Sequence, residues 1–175
     1  METIKKLNIL SIDCDWVRCL RHQQDLISFF VPLLFNNSDI VLSYDHHKIY
    51  PYFIHGYDEY NLINIDHHHD YAYSKYEDLN EGNWLYHLSN VFYKKINYVW
   101  INNTDSEHPV HINRAKMIEK LKSYEFDQRL NYISQQKFDK IFICCSPEPE
   151  YSTHIGITTY KIMERIANDI KKSKP

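Results

Sequence analysis

The sequence predicts an α/β domain, a three-layer sandwich around a mainly parallel central sheet. Short β-branched or apolar runs recur along the chain, and segments with helical spacing separate them. Such runs are the signature of strands buried on both faces, and alternation with helices is how parallel strands are joined. With 175 residues and 43% apolar side chains the chain can bury a real core, so one domain over 1–175 is expected.

The elements follow in order. Leu7–Asp13 (LNILSID) reads as the first strand, and Gln24–Phe35 as a helix that Pro32 should kink or end. Asp39–Tyr44 (DIVLSY) and Asn61–Asp66 (NLINID) are the next strands. Glu77–Tyr93 is the clearest helix, with Trp84, Leu85, Leu88 and Phe92 at i, i+1, i+4 and i+8. Ile96–Asn102 (INYVWIN) is a fourth strand, and Thr104–Gln136 is compatible with one helix, two, or a helix and a hairpin. Lys140–Cys145 (KIFICC) is the last strand. Ile155–Lys172 is a terminal helix with a broad apolar face through Ile157, Tyr160, Ile162, Met163, Ile166 and Ile170.

Composition removes several functions. The formal charge, 20 − 23 = −3, offers no strong basic field for a nucleic-acid backbone, so no nucleic-acid partner is expected. Gly56, Gly82 and Gly156 are too far apart to build a dinucleotide fingerprint or a phosphate-cradling loop. No apolar run is long enough to cross a bilayer, and Met1–Leu10 has neither the h-region nor the cleavage site of a signal peptide. Cys14, Cys19, Cys144 and Cys145 fit no disulfide or zinc framework, which reads as reduced cysteines of a cytoplasmic protein.

Three polar clusters sit at the carboxyl ends of three expected strands: Asp13-Cys14-Asp15, Asp45-His46-His47 and Asp66-His67-His68-His69-Asp70. Ligands collect outside the carboxyl ends of open α/β sheets. In an extended segment Asp66, His68 and Asp70 share one side, as do Asp13 and Asp15. Plainer readings exist. Asp13 and Asp15 also suit helix capping, and the DHHHD run a solvated loop. Its spacing at a strand end favours ligation, and the sequence leaves open whether His46 or His47 supplies the second imidazole. His22, His55, His108, His111 and His154 read as structural, and the cysteines beside Asp13 and before Ser146 as core packing. Four buried aspartates repel and raise one another's pKa values; two divalent cations supply +4 against −4. Mixed Asp/His ligation suits Mn²⁺ better than a structural zinc. Two Mn²⁺ per chain sharing an activated water imply metal-assisted hydrolysis.

These residues resemble the three metal-ligand motifs of the arginase and agmatinase (ureohydrolase) superfamily: strand-Asp-x-Asp, strand-Asp-His and strand-Asp-x-His-x-Asp. The chain looks most like the small branch that includes the peptide arginases. It shares with that branch the run Tyr44-Asp45-His46-His47-Lys48-Ile49-Tyr50-Pro51-Tyr52, the INIDHHHD segment, an Asn83-Trp84 pair in the next expected helix, and the strand ending FICCSPEPEY. The likeness covers Ile9 to about Tyr151. It departs in order, because Asp13 and Asp15 precede the Asp-x-His-x-Asp strand, which implies a permuted arginase-like sheet. Trp16-Val17-Arg18 replaces the usual Asp-Pro. The chain is also short for an arginase, which favours an arginine held inside a peptide over the free amino acid.

The resemblance implies roles. Asp13 and Asp66 match the carboxylates that bridge both metals; His46 and Asp70 complete one ion's ligands, and His68 and Asp15 the other's. In the family, hydroxide attacks the guanidinium carbon and ornithine and urea are released, with Asp70 placed to hold the hydroxide's proton. A carboxylate must anchor the guanidinium by charge-assisted hydrogen bonds. Glu148 is expected to do so, or Glu150 in the other register of SPEPEY, against a plain turn made by Pro147 and Pro149. Asn83 matches a helix asparagine that contacts substrate backbone. His87, one turn on, could shuttle a proton to the leaving amine, with a surface amide and a buried neutral histidine as the plainer readings. The expected partner is an arginine-containing, ribosomally made precursor peptide, with no membrane partner and a homo-oligomer left open. The alternatives are a DHH-type phosphoesterase, since Asp66-His67-His68 spells that motif, and a non-catalytic, metal-stabilised peptide-binding module.

Overall fold

The computed structural model describes residues 5–36, 39–53, 56–71, 78–80, 82–90, 95–102, 122–125, 133, 136–146 and 153–173. Six strands are β1 (Lys6–Asp13), β2 (Ile40–Leu42), β3 (Glu59–Ile65), β4 (Lys95–Asn102), β5 (Lys122–Glu125) and β6 (Lys140–Cys144). They form one sheet in the order β2-β6-β1-β3-β4-β5, and every pairing is parallel. Helices are α1 (Leu20–Asn36), α2 (Trp84–Asn90) and α3 (His154–Ser173), with 3-10 segments at Cys14–Trp16 and His46–Phe53.

The period-2 pleat divides the apolar residues between two cores. On one face Leu10, Ile12, Ile63, Ile65, Ile141 and Ile143 pack against Leu26, Phe30 and Leu34 of α1 and Tyr160, Met163 and Ala167 of α3. On the other, Leu7, Ile9, Tyr60, Leu62, Tyr98, Trp100 and Phe142 meet Ile49 and Phe53 of the second 3-10 segment and Trp84, Leu85 and Leu88 of α2. Helical elements on both faces of a parallel sheet make the three layers that the alternating sequence predicts.

On the second face the apolar rows stop short of the carboxyl ends. Ser11 of β1 lies opposite Asn64 of β3, and one pleat further on Asp13 lies opposite Cys144 of β6. The central strand β1 feeds β2 on its left, and the chain then crosses to β3 on its right. This reversal is the switch point where α/β sheets open a crevice at their carboxyl edge.

Four expectations change. α1 starts earlier than Gln24 and runs through Pro32, because its Leu26, Phe30 and Leu34 stripe is fully buried and holds the helix across the lost backbone bond. α2 begins at Trp84, seven residues later than expected. Asn80, Gly82 and Asn83 form a turn instead, with Gly82 N–H donating to Asn80 Oδ1 at 3.0 Å and Asn83 C=O accepting from His87 N–H at 3.1 Å. β2 is three residues long, since Ser43 and Asp45 hydrogen-bond each other in a turn. Within the ambiguous stretch, Lys122–Glu125 is a parallel edge strand on β4, too short and polar to read from the sequence. Among the described residues no helix is long and apolar enough to cross a membrane.

Gly156 ties α3 to the turn that follows β1. A Cβ there would stand 2.6 Å from the Cys14 carbonyl oxygen. The Gly156 N–H donates to Thr153 Oγ1 at 3.0 Å, and the Thr153 hydroxyl donates to the Val17 carbonyl at 2.6 Å. Gly156→Ala must push the helix off this turn and is expected to lower stability by about 1–3 kcal/mol in urea unfolding, the range for an overpacked contact. An unchanged midpoint would show that the contact relaxes freely.

Candidate metal centre

Asp13 is the last residue of β1, and Asp66 follows directly on β3. His46 opens the 3-10 segment after β2, and Asp15 lies in the 3-10 turn after β1. All four side chains are buried, and Asp70 is 3% exposed. Three strand tips therefore deliver their acidic and imidazole groups to one place.

His46 is the hub. Its Nδ1 lies 2.8 Å from Asp70 Oδ2, 3.2 Å from Asp66 Oδ2 and 3.5 Å from Asp13 Oδ2. Despite these distances, Nδ1 is buried and makes no hydrogen bond of acceptable geometry among the described residues. The nitrogen and one oxygen of each carboxylate are crowded together at these distances. Neighbouring ligand atoms on an octahedron of about 2.1 Å radius stand about 3 Å apart, so this spacing fits ligands around one cation. At the ring's other end, Nε2 lies 2.7 Å from Ser11 Oγ. In the tautomer in which Nε2–H donates to that hydroxyl, Nδ1 is left as a ligand atom. His46, and not the half-buried His47, is the imidazole of the second cluster.

A second group adjoins the first. Asp15, Asp66 and His68 offer ligand atoms within 4.8 Å of one another. His68 Nδ1 is 2.9 Å from Asp15 Oδ2, and the His68 N–H donates to Asp66 Oδ1 at 2.8 Å. Asp66 belongs to both groups. Asp13 does not: it groups with His46 and Cys144. Its Oδ1 accepts from the Asp15 and Ser146 amides at 3.1 and 3.2 Å, and its Oδ2 from the Ser146 hydroxyl at 2.6 Å. Asp13 thus caps the 3-10 turn and faces His46 at once. Buried Asp, His and Cys clusters here can hold a metal ion.

The expected side-sharing of Asp66, His68 and Asp70 holds, but for another reason. β3 ends at Ile65, and Asp70 has φ +55°, so a left-handed residue and not an extended strand returns its carboxylate to His46. Trp84 Nε1 donates to Asp70 Oδ2 at 2.7 Å, and Leu85 N–H donates to the Asp70 carbonyl at 3.1 Å. His69 turns away to Trp100, ring centroids 5.7 Å apart, while its Nδ1 accepts from the Tyr71 N–H. The His67 N–H donates to Asp15 Oδ1 at 3.3 Å.

Burial and mutual repulsion shape the charges. Burial, then the neighbouring Asp13 and Asp66, push Asp15 well above the usual carboxylate range. Burial and Asp70 push Asp66 to about 7. Burial would raise Asp13 too, but His46, Ser146 and the Asp15 amide outweigh it and hold the carboxyl at about 2. Burial works against a charge on His68, yet Asp15 and the other carboxylates lift it to about 9. His46 is raised well above its ordinary value because Cys144, Asp70, Asp13 and Asp66 outweigh its burial. Without a cation, protons do the neutralising.

Several supporting residues escaped the sequence reading. Asn64 Nδ2 donates to Asp66 Oδ2 at 3.0 Å and to Tyr98 Oη at 3.1 Å, and Tyr98 donates to the His69 carbonyl. Trp100 Nε1 donates to the Asp66 carbonyl at 2.9 Å. Ser11 and Asn64 carry a readable signal, since each stands two residues before a ligand Asp on the same strand face. Cys144, read as core packing, lies in a ligand group. Of the substrate-side residues, Asn83 is fully buried, its amide donating to the Asp78 carbonyl at 3.0 Å and accepting from Asn80 N–H at 2.8 Å. Asn83 therefore precedes α2 and stabilises its entry turn. His87 is half-buried beside Tyr86, ring centroids 5.8 Å apart, and belongs to none of the three ligand groups. Glu148 and Glu150 lie outside the described residues.

No family model, no curated protein and no solved structure matches this chain. The functional reading therefore rests on the site.

At neutral pH His46 and His68, both raised by the carboxylates around them, hold protons that a cation must displace. Filling the site is expected to release protons, at least one from each of these imidazoles, since ligands bind deprotonated. Affinity should climb as pH rises through the values of Asp66 (about 7) and His68 (about 9). Calorimetric titration with Mn²⁺ in buffers of different ionisation enthalpy reads the release directly; binding with no proton release would contradict this charge arrangement.

Proposed function

We propose that this chain is a dinuclear manganese hydrolase of the ureohydrolase type that converts arginine side chains of a peptide to ornithine, releasing urea. The observation that carries the reading is Asp66: one carboxylate shared by two adjoining ligand groups, each completed from a different strand tip. On this reading His46, Asp13, Asp66 and Asp70 hold one ion, and Asp15, Asp66 and His68 the other. An arginase-like sheet with permuted strand order accounts for the Asp13-x-Asp15 motif on the first strand.

Metal ions held there would supply the Lewis acidity that makes a water nucleophilic at neutral pH. The protein's own residues do the rest. The Trp84 indole fixes the Asp70 carboxylate, which accepts a proton from the attacking water. Ser11 sets the His46 ring, and Ser146 with Asn64 fixes the Asp13 and Asp66 carboxylates, so the ligand atoms are organised before substrate arrives. His68, with 24% of its side chain exposed, marks the side open to solvent. Glu148, with Glu150 as the other register, is assigned to the guanidinium cation. His87 is assigned to return a proton to the departing amine. Water adds to the guanidinium carbon and the bond from that carbon to the side-chain nitrogen breaks, leaving ornithine and urea.

Incubation of the Mn²⁺-loaded protein with an arginine-containing peptide is expected to release urea, and Asp70→Asn to lower that rate about 100-fold or more, the contribution of a positioned proton acceptor. Cleavage of a phosphodiester to a phosphomonoester and an alcohol, with no urea from any arginine substrate, would overturn the assignment in favour of a phosphoesterase. Metal binding without turnover of either would leave a binding module.

A further inference from the structure

We infer that Cys144 is an additional metal ligand, so that the ion held by His46 sits in a mixed sulfur, nitrogen and oxygen environment that takes thiophilic cations as well as Mn²⁺. The inference rests on the metal-centre reading above and extends it to a residue type that the motif reading did not include. Cys144 is the last residue of β6 and pairs across the ladder with Asp13, so the pleat sends both side chains to the same face. The thiol is fully buried, and its sulfur, one carboxylate oxygen of Asp13 and one ring nitrogen of His46 lie within 4.8 Å of one another. Two ligands on opposite sides of one ion, with bonds of about 2.3 Å for sulfur and 2.1 Å for nitrogen or oxygen, stand about 4.4 Å apart, so the separation suits a shared cation.

The arrangement is specific to one cysteine of an adjacent pair. Cys145 belongs to the opposite core, with Ile143, Tyr160 and Met163, because successive strand residues point to opposite faces. Soft thiolate selects zinc-class and cobalt-class ions, whereas an all-oxygen and imidazole site leaves Mn²⁺ better placed. On binding, the Cys144 sulfur gives its proton to solvent and its lone pair to the ion, so no oxidant or reductant is needed.

Co²⁺ titration of the full chain, followed by absorption, tests the assignment. The wild-type protein is expected to develop a sulfur-to-cobalt charge-transfer band in the near ultraviolet that saturates with the ion in the His46 group. Cys145→Ser should keep the band. Cys144→Ser should lose it while still binding cobalt, and its preference for Zn²⁺ over Mn²⁺ in competition should fall about 10-fold or more, as for loss of a group that tunes a metal site. If Cys144→Ser fails to fold, the wild-type and Cys145→Ser spectra still decide. Cobalt bound to wild type with no such band overturns the cysteine ligand and leaves the dinuclear reading standing. No cobalt or Mn²⁺ bound to wild type overturns both.

Discussion

Four carboxylates are pressed together at the carboxyl edge of the sheet, in a volume from which water is largely excluded. Asp13, Asp15 and Asp66 are buried to 1% exposure or less, and Asp70 to 3%. Like charges at such separations cannot all ionise unless positive charge is supplied. Two imidazoles are at hand, and they meet the demand in part by holding protons. Bound divalent cations would meet it more completely. The tension between an acidic pocket and its counter-charge organises everything around it, from the Ser146 hydroxyl on Asp13 to the Trp84 indole on Asp70.

The fold makes the crowding affordable. β1 is the innermost of the strands that bear ligands, flanked by β6 and β3, and the chain reverses direction around it. Ligands from β1, β3 and the segment after β2 therefore meet without any long insertion. Beneath them the second face of the sheet grades from apolar to polar one pleat at a time: Leu7, Ile9, Ser11 and Asp13 on β1, and Tyr60, Leu62, Asn64 and Asp66 on the adjoining strand. The lower rungs bury a core with α2, and the upper rungs hold the site, so packing fixes the backbone from which the ligands project.

Much of this was legible in the sequence, and the failures have physical causes. The five strands beginning near Leu7, Asp39, Asn61, Ile96 and Lys140 were visible because buried parallel strands are apolar almost throughout. β5 was not, since four mostly polar residues at a sheet edge leave no periodic trace. Pro32 misled, because propensity yields to a buried helix face. The α2 start was misplaced because the turn before it is held by Asn80 and Asn83 side-chain hydrogen bonds that residue spacing does not show. At the site, strand-end spacing pointed to the Asp45-His46-His47 cluster and the Asp-x-His-x-Asp run, and left the choice between His46 and His47 open. The separation of Asp13 from the Asp15 group, and the approach of Cys144, depend on the β1–β6 register, which joins residues 131 apart in sequence and has no local signature.

The central claim is that this pocket houses cations held on either side of Asp66. Anomalous scattering from crystals grown with Mn²⁺ measures it most directly. The account predicts two peaks inside the pocket, one among His46, Asp66 and Asp70 and the other among Asp15, Asp66 and His68. Peaks confined to the protein surface, with His46 still surrounded by the three carboxylates and nothing between them, would contradict it.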